Sequence, residues 1–136
     1  MSKRRDYCFT WNNYPDNAEE LLQTISYSYL VYAPEIGEQE ETPHLQGYIY
    51  LKNATTIKAL LKKTPGNFYI VPEGNAQQNR TYIIGPYEKE NKYKPYNPDH
   101  KEFGNKPTQG RRSDISQVVK MVEEGCMMRD VIFFFI

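Results

Sequence analysis

Cysteine is scarce. Only Cys8 and Cys126 occur in 136 residues, far apart and outside any CxxC pair, which argues against a disulfide framework and a thiolate zinc site. Net charge is also missing, because 17 basic and 17 acidic residues cancel. Bulk electrostatics therefore give no attraction to nucleic acid and speak against a histone-like role. Any attraction must be local, at Lys3, Arg4 and Arg5 or along the acid-free stretch with Lys52, Lys58, Lys62 and Lys63, though either could be an ordinary solvated face. No apolar segment leads the chain, and the terminal run Val131 to Ile136 is too short to span a bilayer. The expectation is an intracellular protein with no membrane association. No GxxxxGK[ST] loop is present to cradle a nucleotide phosphate, and there is no internal repeat.

Large side chains are plentiful: 12 Tyr, 6 Phe and 1 Trp within a hydrophobic fraction of 39%. That suffices for one small core. Residues 1–110 read as that domain, and residues 111–136 as a linker and helix leading onward.

Tyr7 to Trp11 is aromatic and β-branched and stops at Asn12-Asn13-Tyr14-Pro15, which predicts a strand ending in a loop. Asp16 with Glu19 forms a capping-box pattern before a helix over about 17–26. Tyr29 to Ala33 and His44 to Leu51 read as a strand pair joined by the acidic loop Glu35 to Glu41. Thr55 or Thr56 caps a second helix whose Ile57, Leu60 and Leu61 face inward, and Pro65-Gly66 ends it. Phe68 to Val71 is a fourth strand, and a third helix runs from about Ala76 to Ile84. From Gly85 to Gly110, Pro, Gly, Asn and Lys favour turns with room for one edge strand. Ser113 begins a last amphipathic helix. The order β-α-β-β-α-β-α predicts an α+β, ferredoxin-like or RRM-like sandwich, with helices on one face of an antiparallel sheet.

On a strand, alternate residues share a face, so His44 and Gln46 point the same way. A hard divalent cation, Mg²⁺ or Mn²⁺, needs a carboxylate besides, and Glu35 at the end of the neighbouring strand is placed to give it, with Glu38 as the alternative. Tyr82 stands near the end of the third helix with Gln78 one turn earlier. A tyrosine hydroxyl titrates near 10, so it attacks phosphorus only with a metal or cation to stabilise the charge.

Read together, these segments resemble the motifs of the replication-initiator (Rep) endonucleases of circovirus-like small circular DNA viruses. Phe9-Thr10-Trp11-Asn12-Asn13-Tyr14 is similar to the first motif. Thr42-Pro43-His44-Leu45-Gln46-Gly47-Tyr48 is similar to a metal motif in which Gln replaces the second His of the HUH signature. Gln77-Gln78-Asn79-Arg80-Thr81-Tyr82 resembles the segment leading into a nucleophilic tyrosine, and Gln109-Gly110-Arg111-Arg112-Ser113-Asp114 resembles the stretch that opens the linker to a helicase.

The resemblance implies an HUH endonuclease fold with Glu35, His44 and Gln46 as ligands of Mn²⁺ or Mg²⁺. It implies Tyr82 as the residue joined to a 5′ phosphate, and Phe9, Thr10, Trp11, Asn12 and Asn13 as contacts to DNA. The family's YxxK lysine is absent, since Gly85 occupies that position, and Lys89 is the expected substitute. The implied activity is nicking and rejoining of single-stranded DNA at a stem-loop origin in the host nucleus. Full-length Rep or a second copy is an implied partner. Two other readings share the sequence: a non-catalytic RRM-type binding module, suggested by Gly47-Tyr48-Ile49-Tyr50, and a truncated regulatory Rep.

Overall fold

The computed structural model describes residues 2–36, 42–90 and 92–107. Glu38, the Gln109-to-Asp114 stretch, the last helix and the run Val131 to Ile136 lie outside them. Four strands follow the expected order, the first three with longer bounds and the fourth one residue shorter: β1 (Arg4–Asn12), β2 (Tyr27–Ile36), β3 (Pro43–Thr55) and β4 (Phe68–Ile70). Three helices intervene: α1 (Ala18–Gln23), α2 (Ile57–Lys63) and α3 (Ala76–Ile84). Three short strands complete the set: β5 (Tyr87–Lys89), β6 (Lys92–Lys94) and β7 (Lys101–Gly104).

Antiparallel pairing gives a five-stranded sheet in the order β4-β1-β3-β2-β7, while β5 and β6 form a separate hairpin. The α+β, ferredoxin-like arrangement expected from the sequence is therefore present. The single edge strand expected after residue 85 is β7, and the β5–β6 hairpin is an addition.

Strand alternation divides the sheet into two faces. Tyr7, Phe9, Trp11, Leu30, Tyr32, Leu45, Ile49 and Tyr69 pack with Ala18 and Leu22 of α1 and Leu60 of α2 into the main core. Cys8, Tyr29, Val31, Ala33 and Tyr48 point the other way and pack with Ala76, Ile83 and Ile84 of α3. Helices thus cover both faces, whereas the order of elements predicts them on one. Val31, Ala33 and Ala76 are small enough to let α3 lie close against the second face.

Helix caps decide the local boundaries. Thr56 caps α2 by accepting from Ala59 N. Asn75 and Gln78 form a reciprocal capping box at α3, which satisfies two amide donors. At α1 the expected Asp16 cap does not form; Asn17 takes the N-cap position without a side-chain hydrogen bond, and the helix is only 6 residues long.

Candidate active site

Cross-strand partners share a face, so the register reads out which residues meet. Glu35 of β2 lies opposite His44 of β3, which lies opposite Asn12 of β1. The next row on that face is Ala33, Gln46, Thr10 and, on the edge strand, Phe68. His44 Nε2 stands 3.5 Å from Glu35 Oε1, and Thr10 Oγ1 donates to Gln46 Oε1 at 3.1 Å. Two strong donors 3.5 Å apart suit adjacent corners of an octahedron, whose edge is about 3 Å at the bond lengths of Mg²⁺. Among the described residues no three His, Cys, Asp or Glu side chains cluster as metal ligands. An ion held between Glu35 and His44 would take the neutral Gln46 carbonyl as a third protein ligand, with further positions left to water or phosphate oxygens. The set fits a hard or borderline ion and lacks the thiolates of structural zinc.

Helix α3 brings Tyr82 to this same face, half-buried at the margin of the second core cluster. Several contacts anchor the helix: Cys8 Sγ donates to Asn79 Oδ1 at 2.9 Å, and Arg80 forks onto Glu102 of β7 at 2.6 and 3.2 Å. Burial pushes the Cys8 thiol up to about 12, which makes it an inert packing group. Gln78 is spent on the capping box rather than on Tyr82.

The hairpin closes over the tyrosine. Tyr87 meets Tyr82 edge to face at 4.9 Å. Lys92 Nζ donates to the Tyr82 hydroxyl at 2.5 Å, and that hydrogen bond raises the lysine's pKa and keeps it charged. Lys94 Nζ stands 3.9 Å from the centre of the Tyr82 ring and pairs with Glu35 Oε2. Lys89, the expected substitute for the missing lysine, is exposed; it lies opposite Lys92 in the hairpin, and the hydroxyl contact belongs to Lys92. The absence of a lysine three residues after Tyr82 has a steric cause. Gly85 has φ +76°, and a Cβ there would lie 2.3 Å from the Pro95 carbonyl oxygen. No lysine fits at that position, and the cation arrives from the hairpin instead.

The expected DNA contacts divide by strand alternation. Thr10 and Asn12 lie on the face of Glu35 and His44. Asn13 sits in the turn at φ 50° with its N–H donating to the Pro43 carbonyl. Phe9 and Trp11 are 0% and 1% exposed in the opposite core, so neither ring can stack on a base; they hold β1 in place. Phe68, 63% exposed in line with Gln46 and Thr10, is the accessible ring on this row. Its signal in the sequence was the alternation Phe68-Tyr69-Ile70, with the middle residue buried. Tyr48 is 1% exposed under α3, so the aromatic stretch that suggested an RRM-type surface is not open there. The lysines of α2 lie on the helix that packs against the face opposite Tyr82. None of the helices among the described residues is long and apolar enough to cross a membrane.

A family model for viral replication proteins matches residues 4–86. The chain is 30% identical over 125 residues to the replication-associated protein of Human associated cyclovirus 1, covering 89% of this chain and 41% of that protein. It is 30% identical over 128 residues to the replication-associated protein of Canary circovirus, covering 92% and 40%. The master replication protein of Milk vetch dwarf virus is 34% identical over 91 residues, covering 60% and 30%. The chain thus spans about two fifths of the length of the first two of these curated relatives.

Proposed function

Because this chain belongs to the family of viral replication proteins, we propose that it is the nicking and joining endonuclease of rolling-circle replication, acting on single-stranded DNA at a stem-loop origin. The observation that carries the reading is the meeting of Tyr82 with the Glu35–His44 pair on one sheet face, joined through Lys94. A divalent ion, Mn²⁺ or Mg²⁺, would be held by Glu35, His44 and Gln46 and would polarise the scissile phosphate. Tyr82 attacks the phosphorus in line, a bond forms between its oxygen and the 5′ phosphate, and the bond to the 3′ oxygen breaks. The freed 3′ hydroxyl can prime synthesis. The Tyr82 proton passes to solvent and the departing 3′ oxygen takes one up, while Lys92, charged throughout, stabilises the phenolate and keeps the oxygen aimed.

The phosphotyrosine conserves the energy of the broken ester, so a free 3′ hydroxyl can attack it and reseal the strand without ATP. Thr10 and Asn12 would position the backbone on the sheet, and Phe68 would stack a base. The proposed setting is the host nucleus, with full-length Rep or a second copy as partner.

The test incubates the protein with origin-type single-stranded DNA and Mn²⁺, then looks for a protein–DNA band that resists denaturant. Wild type should give the band and Tyr82→Phe should not. A binding module would give none with either protein, and a band from Tyr82→Phe would move the nucleophile, with Tyr87 next in line.

A further inference from the structure

Lys94 stands between two groups that the proposed reaction keeps apart, the ligand carboxylate and the nucleophile. Its ammonium pairs with Glu35 Oε2, while Glu35 Oε1 faces His44 Nε2, so the lysine sits on the same carboxylate whose other oxygen would meet an ion. The side chains of Lys94 and Glu35 are 15% and 22% exposed, which withdraws the pair from much of the screening that weakens surface ion pairs. A carboxylate cannot hold an ammonium and a divalent ion at contact distance without strong repulsion between the two cations. Lys94 is also fixed from behind, since it pairs across the hairpin with Tyr87, whose ring packs on Tyr82. A displaced ammonium therefore stays beside Tyr82.

We propose that Lys94 is a built-in competitor of the divalent ion: it neutralises Glu35 before the ion arrives, weakens ion binding by that amount, and when displaced remains at Tyr82. The inference rests on the metal-dependent reading of Glu35, His44 and Gln46.

The experiment is calorimetric titration of Mn²⁺ into the full chain, as wild type, Lys94→Met, Lys94→Arg and Glu35→Gln. Lys94→Met keeps the aliphatic stem and removes the charge, and should bind Mn²⁺ roughly five- to tenfold more tightly, the effect of losing a partly buried competing charge. Lys94→Arg should stay within about twofold of wild type, and Glu35→Gln should lose most of the affinity. Unchanged or weaker binding by Lys94→Met, at wild-type melting temperature, overturns the proposal and leaves the lysine a strap. Equal tightening by Lys94→Arg overturns it as well.

Should Lys94→Met fold poorly, wild type gives the second measurement. Mg²⁺ should shift the NMR signal of the Lys94 ε-methylene along the binding curve, and a signal that stays in place refutes displacement. Failure of the metal reading looks different: wild type itself would then bind no Mn²⁺, and the competition would fall with it.

Discussion

A single glycine redistributes the chemistry around Tyr82. Gly85 closes α3 by donating to the Thr81 carbonyl at 2.8 Å, and its positive φ and the nearby Pro95 carbonyl exclude a side chain. We therefore expect Gly85→Lys, which restores the YxxK spelling, to lower stability rather than improve cleavage. A left-handed non-glycine residue costs about 1–2 kcal/mol before the clash is counted, and thermal melting would read the loss. The converse expectation concerns Lys92. Lys92→Ala should slow single-turnover cleavage by roughly ten- to a hundredfold, in line with loss of one donor at a developing charge and discounted for its exposure, while Lys89→Ala should stay within about twofold. A slow Lys89→Ala and a normal Lys92→Ala would return the role to Lys89. Lys89 was the sequence's nearest lysine to Tyr82, but distance along the chain is a poor guide inside a hairpin. Glu90 at φ 53° forms the turn, and pairing sets Lys92 opposite Lys89 and Lys94 opposite Tyr87. No periodicity announces so short a strand.

Elements with strong local signals were legible for physical reasons. The α2 cap was legible to within Thr55 or Thr56, because either hydroxyl could satisfy an orphan amide, and Thr56 does so; the α3 bounds Ala76–Ile84 match the sequence reading. The β2–β3 pairing followed from alternation, which also set Glu35 against His44. Which face α3 would cover was not legible, because buried tyrosines line both sheet faces and α3 carries a mixed surface. Its placement depends instead on long-range ties, of which Arg80 to Glu102 joins the helix to β7. The Arg80 hydrogen bond, chiefly, holds the Glu102 carboxyl below its ordinary range. A carboxylate with a depressed folded-state pKa stabilises the fold above its unfolded pKa, near 4.3, and that contribution is lost as pH falls through the folded value. Wild type should therefore melt a few degrees above Glu102→Gln at pH 7, consistent with about 1 kcal/mol for a partly exposed pair, and the gap should close as the carboxyl is protonated at lower pH. A gap that persists undiminished in acid would assign the effect to packing of the side chain instead.

At the scale of the whole molecule, one sheet face supplies the main core and the other carries the proposed chemistry, so stability and activity should be separable by face. Phe68→Ala tests this on the open row: stacking is worth about 1–3 kcal/mol per base, so affinity for single-stranded DNA should fall roughly five- to a hundredfold while the melting temperature hardly moves, since Phe68 is 63% exposed. A lower melting temperature with unchanged affinity would assign Phe68 to the fold. The metal dependence follows from the same face. Cleavage should vanish in EDTA and return with Mn²⁺ or Mg²⁺, with Mn²⁺ the better rescuer because it accepts imidazole nitrogen as well as oxygen, whereas Mg²⁺ tolerates nitrogen poorly. Glu35→Ala removes the proposed charged ligand and leaves Lys94 without its counterion, so it should raise the Mn²⁺ concentration for half-maximal cleavage more than His44→Ala does. Glu38→Ala should change it little. A cation titration of cleavage across the three variants decides the matter: full activity in EDTA would remove the metal from the mechanism, and a larger effect at Glu38 would transfer the carboxylate's role to that residue.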